Sequence, residues 1–241
     1  MRARTAVAAL AATLLCAALA AAEDTSDKLS LGLSYLATTG NSSSQTGGID
    51  LQYRHTFDPW GLEANVNWLR AEDHGVVTAK KLYAGVRGTR KLGDDLGLFV
   101  SASALQDTFA GLDPRVLLAG GVTYKFLKGP DHELAFDGGL TWTRDTLVGD
   151  GSTSYVGGIA AARYGWNITK TSKFTENFAF YPSFKQGSDW RIESTTGLQA
   201  AVSSTVALKL AYAFRYANRP VAGFRKTDTQ TTASLVVNLL K

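Results

Sequence analysis

Between Val206 and Tyr216 two kinds of residue alternate without a break. Val206, Leu208, Leu210, Tyr212, Phe214 and Tyr216 are separated by Ala207, Lys209, Ala211, Ala213 and Arg215. Successive side chains of an extended strand point to opposite faces, so this stretch reads as a strand with one apolar face and one face of small residues and cations. The pattern constrains the fold because it returns along the whole chain, in segments bounded by turn residues. No stretch beyond the N-terminus is apolar enough for a spanning helix. Alternating segments of about ten residues, repeated in this way, are the signature of a membrane β-barrel, apolar toward lipid and polar toward the lumen.

The first 22 residues stand apart from this pattern. Arg2 and Arg4 give a positive start, Ala6 to Ala18 an apolar run, and Ala20-Ala21-Ala22 a small-residue cleavage site ahead of Glu23-Asp24. We read residues 1–22 as a secretory signal peptide and 23–241 as the mature barrel. Cys16, the one cysteine, falls in the leader behind Leu14-Leu15, where a lipoprotein site wants a small residue. The mature chain therefore carries no thiol, which excludes disulfide frameworks and thiolate metal sites. The formal charge of +4, from 25 Lys and Arg against 21 Asp and Glu, falls to +2 once Arg2 and Arg4 leave. A charge that small, with no basic tract, argues against nucleic acid as a partner.

Twelve strands can be placed by the period-two alternation. The faces predicted to point inward carry Asp50 and Arg54 in the second strand, Glu63 in the third, Lys81 and Arg87 in the fourth, and Arg115 and Lys125 in the sixth. Asp137, Arg163, Arg191, Glu193, Lys209, Arg215 and Asp228 continue the set through the seventh, eighth, tenth, eleventh and twelfth. The ninth is irregular, because Glu176 shares its face with Phe174, Phe178 and Phe180 and would point at lipid. The twelfth strand can pair with the first and leave no edge, which hydrocarbon requires. The expected fold is an all-β, transmembrane, antiparallel up-and-down barrel of twelve strands.

Connections and tryptophans point the same way. Asp58 to Gly61, Leu92 to Asp95, Lys128 to Asp131, Asn167 to Ser172 and Ser203-Ser204 read as tight turns. Thr38 to Gly48, Ala71 to Ala79, Thr108 to Pro114, Leu147 to Thr153 and Ala217 to Lys226 read as longer loops, with Lys185 to Asp189 the one short member of that class. This alternation predicts both termini on the short-turn, periplasmic side. Trp60 and Trp166 fall at the short-turn end, and Trp68, Trp142 and Trp190 at the loop end. With Tyr212 they are expected to form aromatic girdles at the membrane boundaries. A soluble, lipocalin-like barrel would have the opposite polarity, and strand by strand the alternation fits it equally well.

Two short motifs carry a family resemblance. Leu31-Gly32-Leu33-Ser34-Tyr35 runs through Thr39-Gly40-Asn41-Ser42, and Arg225-Lys226-Thr227-Asp228-Thr229 leads into the last strand. On these the chain, from Glu23 to Lys241, resembles domain-of-unknown-function family 481, the YdiY-like, salt-induced outer membrane proteins. The resemblance implies an exported barrel in the Gram-negative outer membrane and assigns no activity. The terminal Leu239-Leu240-Lys241 departs from the aromatic end that such barrels commonly carry.

Function is then a question about the lumen. The inward charges have a basic excess, which suits a narrow, anion-leaning channel or envelope-integrity protein with Asp50, Arg54, Glu63, Lys81, Arg87, Lys125, Asp137, Arg191, Glu193, Lys209, Arg215 and Asp228 lining the path. The same charges, paired across the lumen, would instead fill a structural barrel. A barrel enzyme acting on lipid is the third class. Of the histidines, His55 lies on the outward face, His132 in a short turn and His74 beside Glu72-Asp73, and no nucleophile motif accompanies any of them. No catalytic residue is assigned. Glu72-Asp73-His74 and Asp145 with Asp150 are oxygen-rich, but loop oxygens are unspecific, so no metal or cofactor is expected. Paired glycines such as Gly120-Gly121 and Gly138-Gly139 precede no helix, and in a closed sheet mark bends rather than phosphate loops. The expected partners are outer membrane lipid, lipopolysaccharide and the barrel assembly machinery, with the protein a monomer.

Overall fold

The computed structural model describes residues 26–38, 44–149 and 151–240, so the expected signal peptide and the expected turn at Gly40-Asn41 lie outside the described residues. Twelve strands follow in order: β1 (Ser26–Thr38), β2 (Ser44–Phe57), β3 (Trp60–Asp73), β4 (Val76–Lys91), β5 (Leu96–Asp107), β6 (Leu112–Lys128), β7 (His132–Leu147), β8 (Ser152–Asn167), β9 (Ser172–Pro182), β10 (Trp190–Ala201), β11 (Val206–Ala217) and β12 (Thr227–Leu240). Each pairs antiparallel with its neighbours in sequence, and β12 returns to β1 through Leu31↔Val237 and Gly32↔Val236, closing the ring. The closing seam is short, five partners from Leu29 to Leu33 of β1 against Leu240 to Leu235 of β12, and it joins the two strand edges at the short-turn half of the ring.

Polarity follows the alternation. Val100, Leu140, Phe126, Leu208 and Leu210 are among many large apolar side chains that stand exposed on the outside. Polar and charged side chains, among them Lys81, Thr123, Asp137, Thr143, Asp145 and Arg191, are instead buried inside. This inverts the arrangement of a soluble barrel. The lipocalin-like alternative therefore fails, and the outside is a surface for hydrocarbon.

The rim with the short turns is tied together by backbone hydrogen bonds. Pro59 accepts from Lys91 N at 2.8 Å, Asp95 from Lys125 N at 2.8 Å, Asp131 from Asn167 N at 2.7 Å, Thr171 from Ala201 N at 2.7 Å and Thr205 from Asn238 N at 2.8 Å. Each turn thus bonds to the following hairpin. Ion pairs between Lys91 and Asp58 and between Lys128 and Asp95 reinforce the same rim.

The opposite rim corrects the expected loops. Ala71 to Ala79 is not a loop: β3 and β4 continue to a two-residue turn of His74 and Gly75, both with positive φ. Leu147 to Thr153 shrinks to residues 148–151, and Thr108 to Pro114 to a 3₁₀ turn, Thr108–Ala110, followed by Gly111. Residues 218–226 do form a long loop. The β9–β10 connection, expected to be short, spans 183–189 because β9 stops at Pro182 while Ser183 and Phe184 go on bonding to Gly157 and Val156 of β8. Trp68 and Trp142 consequently sit five residues below the ends of β3 and β7 rather than at them. Trp60 opens β3, Trp190 opens β10 against Phe180 and Tyr216, Trp166 lies beside the end of β8, and Tyr212 is exposed on the middle of β11.

Candidate functional site in the lumen

A chain of charges crosses the lumenal wall in its short-turn half, three to five residues from the strand ends. Arg54 on β2 pairs with Glu63 on β3 at 3.1 Å, and Glu63 lies within electrostatic reach of Arg87 on β4. Arg87 Nη2 donates to Asp137 Oδ1 on β7 at 3.0 Å, and Arg163 Nη2 on β8 donates to the same oxygen at 3.2 Å. The Arg87 guanidinium also stacks 4.1 Å above the ring of Phe99, which is 2% exposed. Between β4 and β7 two strands intervene, so this contact spans a chord of the barrel rather than a neighbouring pair. The Asp137 side chain is 3% exposed and that of Arg54 60% exposed. The chain therefore runs from a wet wall into a packed one.

Toward the long-loop rim the lumen is packed. Both Arg115 Nε and Nη2 donate to Asp145, at 2.6 and 2.7 Å, a two-pronged pair of the strong kind. Arg191 Nη1 donates to the Tyr155 hydroxyl at 2.8 Å and its guanidinium lies over the Tyr181 ring at 4.7 Å. Lys81 is buried within electrostatic reach of Asp107, Glu193, Asp228 and Arg215. Toward the short-turn rim the inward residues Gln52, Arg54, Asn65, Lys125 and Lys173 are exposed. The long-loop half is thus filled by ion pairs, whereas the short-turn half is wet at these positions and packed where Phe99, Thr123 and Asp137 gather around Arg87.

The residues expected to line the path divide between these zones. Arg87 and Asp137 meet directly, with Arg54 and Glu63 beside them; Lys81, Glu193, Arg215 and Asp228 gather in the long-loop half with Arg191. Arg54 and Lys125 take wet positions of the short-turn half, while Asp50 on β2 and Lys209 on β11 stand on wall positions away from both clusters. Phe99, Tyr155 and Tyr181 were not in the expected set. Aromatic residues inside a membrane barrel defeat a hydropathy pattern, and their inward direction is legible only from the parity of neighbours such as Gly97, Ser101 and Arg163. Asp145, on the inward face of β7, is engaged by Arg115, and Asp150 lies outside the described residues.

Histidines stay outside the lumen. His55 shares Asp27 with the Tyr53 hydroxyl on the outward face, at 2.5 and 3.1 Å. His74 turns the β3–β4 hairpin with its Nδ1 2.9 Å from Asp73, and His132, the first residue of β7, meets the Tyr164 hydroxyl at 2.8 Å. Among the described residues no group of three or more His, Cys, Asp or Glu could hold a metal ion. Glu176 does point outward, and its carboxylate accepts from Ser194 Oγ at 2.7 Å and Thr196 Oγ1 at 2.5 Å, which satisfies it in an otherwise apolar setting.

The model of a family described as "Protein of unknown function, DUF481" matches residues 31–239. The uncharacterized protein YdiY of Escherichia coli (strain K12) is 30% identical over 209 residues, covering 85% of this chain and 80% of that protein. Among solved structures, the NanC porin superposes with a TM-score of 0.52 at 12% identity, over 89% of this chain and 99% of that one. An outer membrane channel from Pseudomonas putida F1 gives 0.49 at 10% identity, over 91% and 97%. The likeness to NanC is a likeness of fold, that of an outer membrane β-barrel.

Proposed function

The chain belongs to the DUF481 family, and from that premise and the lumen just described we propose that it is a narrow, anion-leaning channel of the Gram-negative outer membrane. One observation carries this reading: in the series Arg54, Glu63, Arg87, Asp137 and Arg163, three guanidiniums share two carboxylates, and the series reaches open water at Arg54. A wall with uncompensated positive charge attracts anions and repels cations, and in a narrow passage with low-dielectric walls the effect is magnified. Export through the signal peptide, a monomeric state, contact with lipid and lipopolysaccharide, insertion by the barrel assembly machinery and a periplasmic short-turn rim are parts of the same proposal.

The test is the zero-current potential in a planar bilayer under a potassium chloride gradient. The wild-type barrel is expected to favour chloride. Arg54→Gln with Arg163→Gln leaves one guanidinium against two carboxylates and is expected to move the potential toward potassium. An unchanged potential would remove these residues from the conducting path. A filled structural barrel is the second reading, favoured by the buried Arg115–Asp145 pair and by Lys81. It predicts verified insertion with no current in any variant.

A further inference from the structure

The loop joining β11 to β12, residues 218–226, does not stand up from the barrel. Its base is fixed: Asn218 N donates to Trp190 O and Asn218 Nδ2 to Ser188 O, both at 2.9 Å, and Ala217 N donates to Lys226 O at 2.8 Å. Its tip is a tight turn, with Phe224 N donating to Val221 O at 3.0 Å and Gly223 at φ +86°. The side chains of that turn reach Gly111. A Cβ on Gly111 would lie 2.9 Å from Val221 Cγ1 and 2.7 Å from the ring of Phe224. Gly111 belongs to the β5–β6 connection, which in a ring of twelve strands is six strands from the β11–β12 connection. The two are diametrically opposite, so the loop crosses the mouth to touch the far rim.

The far rim is shaped to receive it. Gly111 takes φ +78°, a conformation that suits glycine, and its carbonyl accepts from Val148 N at 3.0 Å, which holds the seat in place from the β7–β8 connection. Val221 and Phe224 are half-buried by the contact, although they occupy a loop at the mouth of a polar lumen. At the base of the loop lies a cavity of about 40 Å³ lined by Arg191, Glu193, Arg215 and Asp228 of the long-loop half together with Lys226 of the loop itself. Two apolar side chains on one glycine make a small contact, and small contacts open at little cost compared with the strand ladders around them.

We infer that residues 218–226 are a gate: Val221 and Phe224, seated on Gly111, hold the long-loop mouth shut, and their release opens the lumen. The inference rests on the channel reading and adds its regulation. Residues 23–241 contain no cysteine, so a disulfide can be placed without background, and the closeness of Val221 Cγ1 to the Gly111 Cβ position suits one. Gly111→Cys with Val221→Cys is expected to cross-link in folded protein on oxidation, to abolish current, and to recover it on reduction. Val221→Ser with Phe224→Ser is expected to raise the open fraction several-fold, with heat-modifiable migration confirming that the barrel is intact. Failure to cross-link, current unchanged by the cross-link, or wild-type gating in the serine variant would each overturn the gate. If the cross-link forms and no variant conducts despite verified insertion, the channel reading fails and gating fails with it, leaving only the closing contact.

Discussion

Asp137 holds two arginines, Arg87 from β4 and Arg163 from β8, on one carboxylate oxygen that water scarcely reaches. A buried charge deprived of its partner is costly, and here the loss would leave two like charges facing each other. Asp137→Asn is therefore expected to lower stability by about 3–5 kcal/mol, read from the denaturant midpoint of heat-modifiable migration in lipid. Adding Arg87→Gln should return part of that loss, because Arg163 is exposed enough to be hydrated alone. A double variant as unstable as the single one would mean that Asp137 acts through packing instead. Alternation along β4, β7 and β8 made the inward direction of all three residues legible. Their meeting was not, since Arg87 is fifty residues from Asp137 and touches it only through the curvature of the closed sheet. Phe99, which seats Arg87, lies in the run Leu98-Phe99-Val100, where hydropathy gives no parity at all.

The β6–β7 hairpin bends around a pair of glycines. Gly121 and Gly139 are directly paired and face the lumen, and a Cβ on Gly121 would collide with the backbone of Gly138 and Gly139. Gly138, one residue away on the outward face, has nothing within 4 Å of a Cβ. Gly121→Val is expected to abolish the folded, heat-modifiable form in refolding assays, while Gly138→Ala refolds like wild type; equal yields would show that the close approach is not needed for closure. Glycine pairs were readable as bends from sequence. The hairpin ends were not, for a physical reason: above Trp68 and Trp142 the outward residues are Arg70, Glu72 and Arg144, which face water. Hydropathy stops alternating there while the ladder continues, so strand was mistaken for loop. Pro182 produced the opposite error, ending β9 early and lengthening a connection that had seemed short.

Ring closure, the bonded short-turn rim and the inverted polarity together describe a molecule that lives between two solvents. Its outside is apolar because hydrocarbon surrounds it, and its inside is ionic because the lumen is the one place its charges can be paired or hydrated. The twelve-stranded closure was legible because the pattern recurs so often. The asymmetry of the lumen was not, because packing of Lys81, Arg115, Asp145 and Arg191 depends on residues brought from strands far apart in sequence. The most direct test uses single cysteines in residues 23–241, which contain no other thiol, inserted in lipid vesicles and exposed to a polar, membrane-impermeant maleimide. Arg54→Cys, at a wet position of the short-turn half, should label rapidly; Leu140→Cys, in the middle of the outward face, should label only when the vesicles are dissolved in denaturant. Equal, rapid labelling of Leu140→Cys in intact vesicles would contradict a barrel with its apolar face in lipid and water within.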